Sequence, residues 1–153
     1  MGTFSLAEAV ERSVLCWLAT ADAAGAPSVS PKEVFAAAGE DRVLIADIAS
    51  PRSVRNIAAQ QRVCLALLDV FAQRGHQLYG SARILAPGDE RWVEASDELE
   101  RITQGRYPFR RIIEVTVDRV HPIVAPSYAL YPEVPEAERR AAAMRSYGVR
   151  PER

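Results

Sequence analysis

Residues 14–35 read VLCWLATADAAGAPSVSPKEVF, and this stretch indicates the fold class of the chain. Its first part, residues 14–20, is an apolar run of strand type. Its last part, residues 28–35, is a second strand in which residue character alternates. The residues between them, DAAGAP, are typical of a turn. The stretch therefore predicts two strands joined by a short turn, as in an antiparallel sheet.

The rest of the chain continues this pattern with further short strands and a few helices. The additional predicted strands are residues 42–48, 62–69, 76–85 and 112–120. The predicted helices are residues 5–13, 50–60, 90–104 and 136–147. Six strands with few helices predict a mainly β protein, a six-stranded antiparallel barrel with flanking helices, formed as a single domain by residues 1–153.

Composition excludes several classes of function. A net charge of −1 gives no support to nucleic-acid binding. Cys16 and Cys64 each lie inside an apolar run and are expected to be reduced thiols, and no Cys or His spacing suggests a metal site. No run of 18 apolar residues suggests a membrane span, and charges at Glu8, Glu11 and Arg12 interrupt any signal-peptide core. We therefore expect a cytoplasmic protein.

The segment SPRSVRN, residues 50–56, is the first candidate for chemistry. Ser50 is a favourable N-cap, and Pro51 suits the first helical position. A helix N-terminus presents unpaired N–H groups and a positive dipole end, which together bind phosphate. Arg52 and Ser53 follow in the first turn, where their side chains can close over an anion. The alternative is an ordinary surface helix with exposed arginines.

Lys32 is the second candidate, because it is the sole lysine among 19 basic residues. Strand alternation places Ser28, Ser30 and Lys32 on one face. A compact ammonium on that face could neutralise a phosphate. The alternatives are an exposed strand lysine or a lysine retained by chance. Pro31, which cannot donate to a sheet ladder, predicts that this strand lies at a sheet edge.

Several segments resemble, in order and spacing, the pyridoxamine 5′-phosphate oxidase-like, FMN-binding split-barrel family. The matching segments are LCWLAT (15–20), GAPSVSPK (25–32), SPRSVRNI (50–57), QRVCL (61–65) and GSAR (80–83). The resemblance covers residues 5–126 and implies a split barrel that binds FMN. It also implies a homodimer with the flavin at the interface, so that the second chain completes each site.

The resemblance assigns most of the cofactor-binding residues, to which the helix argument adds Ser50. The expected set is Ser30, Pro31, Lys32, Glu33, Ala46, Asp47, Ser50, Arg52 and Ser53. Ser53 stands where the family carries a basic residue, and Lys32 could supply the missing charge. No catalytic residue is identified.

The expected activity is hydride transfer by FMN to or from an unidentified small substrate. The alternatives are a deazaflavin-dependent reductase on the same fold and a non-catalytic flavin carrier or sensor. Vitamin B6 oxidases use a C-terminal segment with Trp and Arg residues and a glutamine near the flavin. This chain has APSYALY at 125–131 and RGH at 74–76 in those regions, so oxidation of pyridoxamine phosphate is not predicted.

Overall fold

The computed structural model describes residues 4–150 as seven strands and five helices. The strands are β1 (Cys16–Ala21), β2 (Pro27–Lys32), β3 (Phe35–Ala38), β4 (Arg42–Ala46), β5 (Arg62–Asp69), β6 (Arg74–Leu85) and β7 (Ile112–Val124). The helices are α1 (Leu6–Glu11), α2 (Pro51–Ala59), α3 (Trp92–Thr103), α4 (Ser127–Leu130) and α5 (Glu136–Tyr147). No helix in this range is long and apolar enough to cross a membrane.

The strands form one antiparallel sheet in the order β2-β1-β5-β6-β7-β4-β3, which curls into a half-barrel. The predicted class, a split β-barrel with flanking helices, is therefore confirmed, although the sheet has seven strands rather than six. A bulge between Tyr79 and Gly80 bends the long β6–β7 pair. At Gly80 a Cβ atom would lie 2.0 Å from the Thr116 carbonyl oxygen, so the close strand approach requires glycine.

The seventh strand arises because the predicted strand 28–35 is divided. β2 ends at Lys32 and pairs with β1 at one edge of the sheet. The chain then crosses to the other edge, where β3 pairs with β4. The prediction of one strand was wrong, because residue alternation does not reveal a change of partner. The alanines 36–38 also gave no strand signal, since alanine is uncommon in strands.

The end of β7 also differs from the prediction, because the strand continues to Val124 instead of ending at residue 120. Pro122 pairs with His76 in the β6–β7 register. Beyond Thr116 the other side of β7 has no partner strand among residues 4–150, since β4 pairs only with the first part of β7. Proline is tolerated there because that segment is a free strand edge.

Two apolar clusters hold the half-barrel together. The larger one fills its interior, and it includes Leu18, Leu65, Leu78 and Ile113, all fully buried. The smaller one lies on the opposite face of β3, β4 and β7, beneath α3. Burial of this outer face by a helix explains why β4 is apolar on both sides.

Glu114 shows a consequence of the outer cluster that the sequence did not predict. Glu114 lies on the face of β7 opposite to that of Ile113 and Val115, yet the residue is only 2% exposed. Arg83 Nε donates to its Oε1 at 2.8 Å, and Arg91 Nη1 lies 2.7 Å from its Oε2. A buried carboxylate is tolerated here because two guanidinium groups compensate its charge.

Three helices begin or end as their sequence signals predict. Ser5 caps α1 by accepting the Glu8 N–H at 3.4 Å. Helix α5 has the predicted limits. Helix α2 begins at Pro51, directly after Ser50, as predicted.

Helix α2 lies against the inner side of β1, where Asn56 Nδ2 donates to Thr20 Oγ1 at 2.9 Å within a buried environment. Helix α2 is thereby fixed against β1, with its first turn beside β2.

Candidate functional site

The predicted phosphate-binding residues meet where the end of β2 passes under the first turn of α2. The Lys32 ammonium donates to the hydroxyl of Ser50 and, at 3.3 Å, to that of Ser53. The Ser30 and Ser53 hydroxyl oxygens are 3.2 Å apart. Strand alternation thus aims Ser30 and Lys32 at the helix, as predicted. The structure joins four of the predicted residues in one hydrogen-bonded network.

Ser50 occupies the N-cap position of α2, but its side chain does not cap the helix. The predicted capping role was wrong, because the Ser50 hydroxyl is taken up by Lys32 instead. The first N–H groups of a helix have no partner within the helix, and Pro51 has no N–H. The backbone N–H groups of Arg52 and Ser53 are therefore left without the acceptor that a capping serine would supply.

Lys32 is buried, with 5% of its surface exposed, so the alternative of an exposed strand lysine does not hold. Burial lowers the pKa of the Lys32 ammonium, and the negative charge of Asp47 partly offsets that effect. Within the described residues, no carboxylate lies close enough to Lys32 to form a salt bridge. The ammonium is thus held by neutral hydroxyls next to the positive end of a helix dipole.

Asp47 is the nearest carboxylate in the site, but it is engaged elsewhere. Its Oδ1 accepts the Ser50 N–H at 3.1 Å, and its Oδ2 lies 2.9 Å from Arg111 Nε. The Asp47 N–H also donates to the Arg111 carbonyl at 3.0 Å. Asp47 therefore orients the turn that leads into α2 and fixes the half-exposed Arg111 beside it.

Arg111 is a site residue that sequence reasoning missed. It immediately precedes β7, and the pairing of Ala46 with Ile112 brings it to the end of β4. The segment RRII, residues 110–113, offered no signal beyond two adjacent arginines. Only the long-range pairing of β4 with β7 shows that this guanidinium borders the N-terminus of α2.

The other predicted residues are spread around this network. Arg52 is exposed on the first turn of α2 and forms no salt bridge within the described part of the chain. Pro31 and Glu33 flank Lys32 with exposed side chains. The Ala46 side chain packs in the outer cluster beneath α3, so only its backbone can border a ligand.

The two cysteines are free thiols on opposite faces of the sheet. Cys16 pairs with Lys32 in the β1–β2 register and is fully buried. Burial raises its pKa to about 12, so the thiol stays protonated and unreactive at neutral pH. No group of three or more potential metal ligands occurs among residues 4–150.

The comparisons with known structures agree with this fold. A variant of HupZ from Group A Streptococcus has 22% identity and a TM-score of 0.67, with 80% of this chain and 100% of HupZ covered. For an FMN-binding protein from Syntrophomonas wolfei, the identity is 14%, the TM-score 0.64 and the coverages 76% and 82%. HutZ, the heme storage protein from Vibrio cholerae, has 22% identity, a TM-score of 0.59 and coverages of 76% and 89%. These identities are low, so the likenesses establish the fold alone.

The comparison with protein families is more specific. A search of curated proteins found no match. The model of the pyridoxamine 5′-phosphate oxidase family, in contrast, matches residues 5–123, which include the half-barrel and the whole network around Lys32. This chain therefore belongs to the pyridoxamine 5′-phosphate oxidase family.

Proposed function

We propose that this protein binds FMN, with the flavin phosphate at the N-terminus of α2, and that it acts as an oxidoreductase on a small molecule. One observation carries the proposal. A buried ammonium that no carboxylate of the described residues pairs with lies against the N-terminus of α2, and the serine at the N-cap position binds this ammonium instead of capping the helix. Two positive features placed together in a poorly solvated site destabilise each other unless an anion binds between them.

A phosphate ester has the chemistry that this site lacks. Its oxygens can accept from the N–H groups of Arg52 and Ser53 while its charge neutralises Lys32. The exposed Arg52 guanidinium can close over the same group from the solvent side. Ser50 and Ser53 would then share the Lys32 ammonium with the ligand. The residues present therefore fit a phosphate, even though Ser53 replaces the basic residue of the family.

Family membership and the fold likeness to an FMN-binding protein favour FMN among phosphate esters. A bound flavin would supply the hydride transfer, and the chain's own residues would bind and orient it. No acid or base pair stands out beside α2, which suits chemistry performed largely by the cofactor. The substrate is unidentified.

The alternatives are a deazaflavin coenzyme, a non-catalytic flavin carrier or sensor, and heme, which the name of HutZ introduces. The absorption spectrum of the purified protein separates the cofactors, because oxidised flavin, deazaflavin and heme absorb at different wavelengths. Turnover of a nicotinamide donor with a dye acceptor separates an oxidoreductase from a carrier. A Soret band without flavin absorption would indicate that the cofactor is heme and not FMN.

We further propose that the protein is a homodimer with the flavin at its interface. The outer face of β2, β1 and β5 is apolar, and no helix of the described chain covers it. We call this face the outer patch; it comprises Trp17, Ala19, Val29, Pro31, Cys64 and Ala66. Trp17 and Val29 are 44% and 60% exposed. A second copy seated there would cover the outer face of β2, the edge strand that carries Lys32 on its inner face, and could reach the ligand site around the free edge of that strand.

The first test of the phosphate site is Arg52→Ala. This substitution should weaken FMN binding about tenfold, the effect of roughly one charge-assisted hydrogen bond. Riboflavin binding should change little, because riboflavin has no phosphate. Fluorescence titration of the wild type and the variant with both ligands measures the difference.

Arg55→Ala is the matched control, since Arg55 is an exposed arginine one turn further along α2. It should leave both affinities and the free energy of unfolding nearly unchanged. Equal weakening of FMN and riboflavin by Arg52→Ala would mean that Arg52 acts through the fold. Equal effects of the two arginine substitutions would contradict a phosphate site at the first turn.

A further inference from the structure

A second concave site lies at the end of the half-barrel that α1 covers. It has a volume of about 350 Å³, within the range that small-molecule sites occupy. Its walls are α1, the turn between β5 and β6, and the end of β7, with Glu136 contributed by α5. Four separate parts of the chain therefore converge on one cavity.

This cavity is distinct from the network around Lys32. The strand registers align Lys32, Cys16, Leu67 and His76 in one row across β2, β1, β5 and β6. Leu67 and His76 line the cavity, whereas Lys32 does not. Three strand spacings separate His76 from Lys32, which is about 14 Å along the sheet. A ligand in the cavity would therefore leave the N-terminus of α2 free.

The floor of the cavity is apolar and aromatic. Phe4, Leu67 and Ile123 contribute to it, and the His76 ring packs edge-on against Phe4 with ring centroids 4.8 Å apart. Burial and the nearby Arg74 guanidinium lower the pKa of His76, so its imidazole is neutral at pH 7. A neutral imidazole beside an aromatic ring is a surface on which a planar apolar group can pack.

The rim of the cavity carries charges of both signs. Arg74 is paired with Glu136 at 3.4 Å, and Asp69 with Arg140 at 2.6 Å, so these charges are compensated. Two other rim residues, Glu8 on α1 and Arg12 at its C-cap, are exposed and form no salt bridge with any described residue. They are four residues apart, about one helical turn, and therefore lie on the same side. The rim thus offers one carboxylate and one guanidinium to a ligand.

The wall formed by α5 lies outside the region that matches the family, which ends at residue 123. Helix α5 is anchored to the β5–β6 turn by the Asp69–Arg140 pair. The Tyr128 hydroxyl of α4 also donates to the Ala72 carbonyl at 2.8 Å. The C-terminal segment therefore fixes the turn that forms one side of the cavity.

We propose that this cavity binds a small zwitterion with a planar apolar body, the chemistry of an aromatic amino acid. The ligand ammonium pairs with Glu8, and its carboxylate pairs with Arg12. Its ring packs on the floor formed by Phe4 and His76. Binding here does not require a flavin, so this inference is independent of the proposed function.

The test titrates the protein with L-phenylalanine by calorimetry and follows the imidazole resonances by NMR. We expect saturable binding that shifts the resonances of His76. The exposed His121 does not line the cavity, so its resonances should stay in place. Benzoate and phenethylamine each carry only one of the two charges and should bind about tenfold more weakly. Absence of saturable binding, or unchanged His76 resonances, would overturn the proposal.

Two variants and a matched control refine the test. Glu8→Gln and Arg12→Gln should each weaken L-phenylalanine about fivefold or more and leave FMN affinity unchanged. Glu11→Gln, on the same helix but outside the cavity, should change neither affinity. An effect of Glu11→Gln equal to that of Glu8→Gln would refute the assigned contacts. Competitive displacement of L-phenylalanine by FMN would refute a separate site.

Discussion

Lys32→Met is expected to weaken FMN binding about 100-fold, which corresponds to about 2.8 kcal/mol. The substitution keeps an unbranched side chain of similar volume, one heavy atom shorter, but removes the charge that the phosphate is proposed to neutralise. Riboflavin binding should change less than about threefold. Fluorescence titration with both ligands measures the two changes. An equal loss of both affinities would place the phosphate away from Lys32.

The same variant should not destabilise the ligand-free protein. An ammonium that is 5% exposed and has no paired carboxylate among residues 4–150 is costly to bury. Replacing it with an apolar group should raise the free energy of unfolding by about 1 kcal/mol. Denaturant unfolding of the ligand-free protein checks this. A clear loss of stability would show that the ammonium serves the fold and would remove the main support for an anion site.

The lowered pKa of Lys32 predicts how FMN binding depends on pH. A bound phosphate favours the charged ammonium, so binding raises this pKa. FMN affinity should be constant at pH values where Lys32 is protonated in both the free and the FMN-bound protein. It should fall as pH rises above the pKa that Lys32 has in the free protein. The ratio of FMN to riboflavin affinity between neutral and alkaline pH isolates this effect. The ratio should become independent of pH in Lys32→Met.

The lowered pKa of Lys32 also makes the stability of the ligand-free protein depend on pH. The folded state lowers the pKa of Lys32 below its unfolded value, so folding disfavours the protonated form. The free energy of unfolding should therefore increase as pH rises from the pKa that Lys32 has in the folded protein towards the pKa that it has in the unfolded chain. Stability and FMN affinity should thus move in opposite directions over the alkaline range.

The site was predictable where local patterns determine it. Alternation in β2 placed Ser30 and Lys32 on one face, and the Ser50-Pro51 pair located the start of α2. The sequence could not reveal which hydrogen-bond partner each serine hydroxyl of the site would have. Ser50 looks like a cap because the motif is local, but Lys32, 18 residues earlier, takes its hydroxyl. Arg111 was invisible for the same reason, since only a long-range strand pairing brings it to the site.

The fold shows the same division between local and distant causes. β5 and α5 have the predicted limits because a short apolar run and a continuous helix-forming segment are local features of the sequence. The division of β2 from β3 depends on a change of sheet edge, which leaves no local pattern. The burial of Glu114 was not predicted, because alternation identifies the faces of a strand but not what covers them. Helix α3, which covers that face, is distant in sequence from β4.

The outer patch is an apolar surface that no helix of the described chain covers. On the opposite side of the sheet, α1 and α2 cover β1 and β5. A Trp and a Val left exposed on neighbouring strands would favour association with an apolar surface. In a two-fold dimer each patch residue is buried twice, so a single substitution affects the interface twice. The proposed dimer can therefore be tested by one change on this face.

Trp17→Glu is expected to convert the proposed dimer to a monomer, raising its dissociation constant at least about 100-fold because buried Trp residues dominate such interfaces. Sedimentation velocity at micromolar concentration measures this. Val93→Glu on α3 is the matched control, since Val93 is 66% exposed but lies far from the outer patch. FMN affinity should fall with Trp17→Glu alone, because the second chain is proposed to complete each site. A wild-type protein that is monomeric with full flavin occupancy would contradict the proposed interface. Dissociation of the dimer by Val93→Glu but not by Trp17→Glu would instead indicate an interface formed by α3.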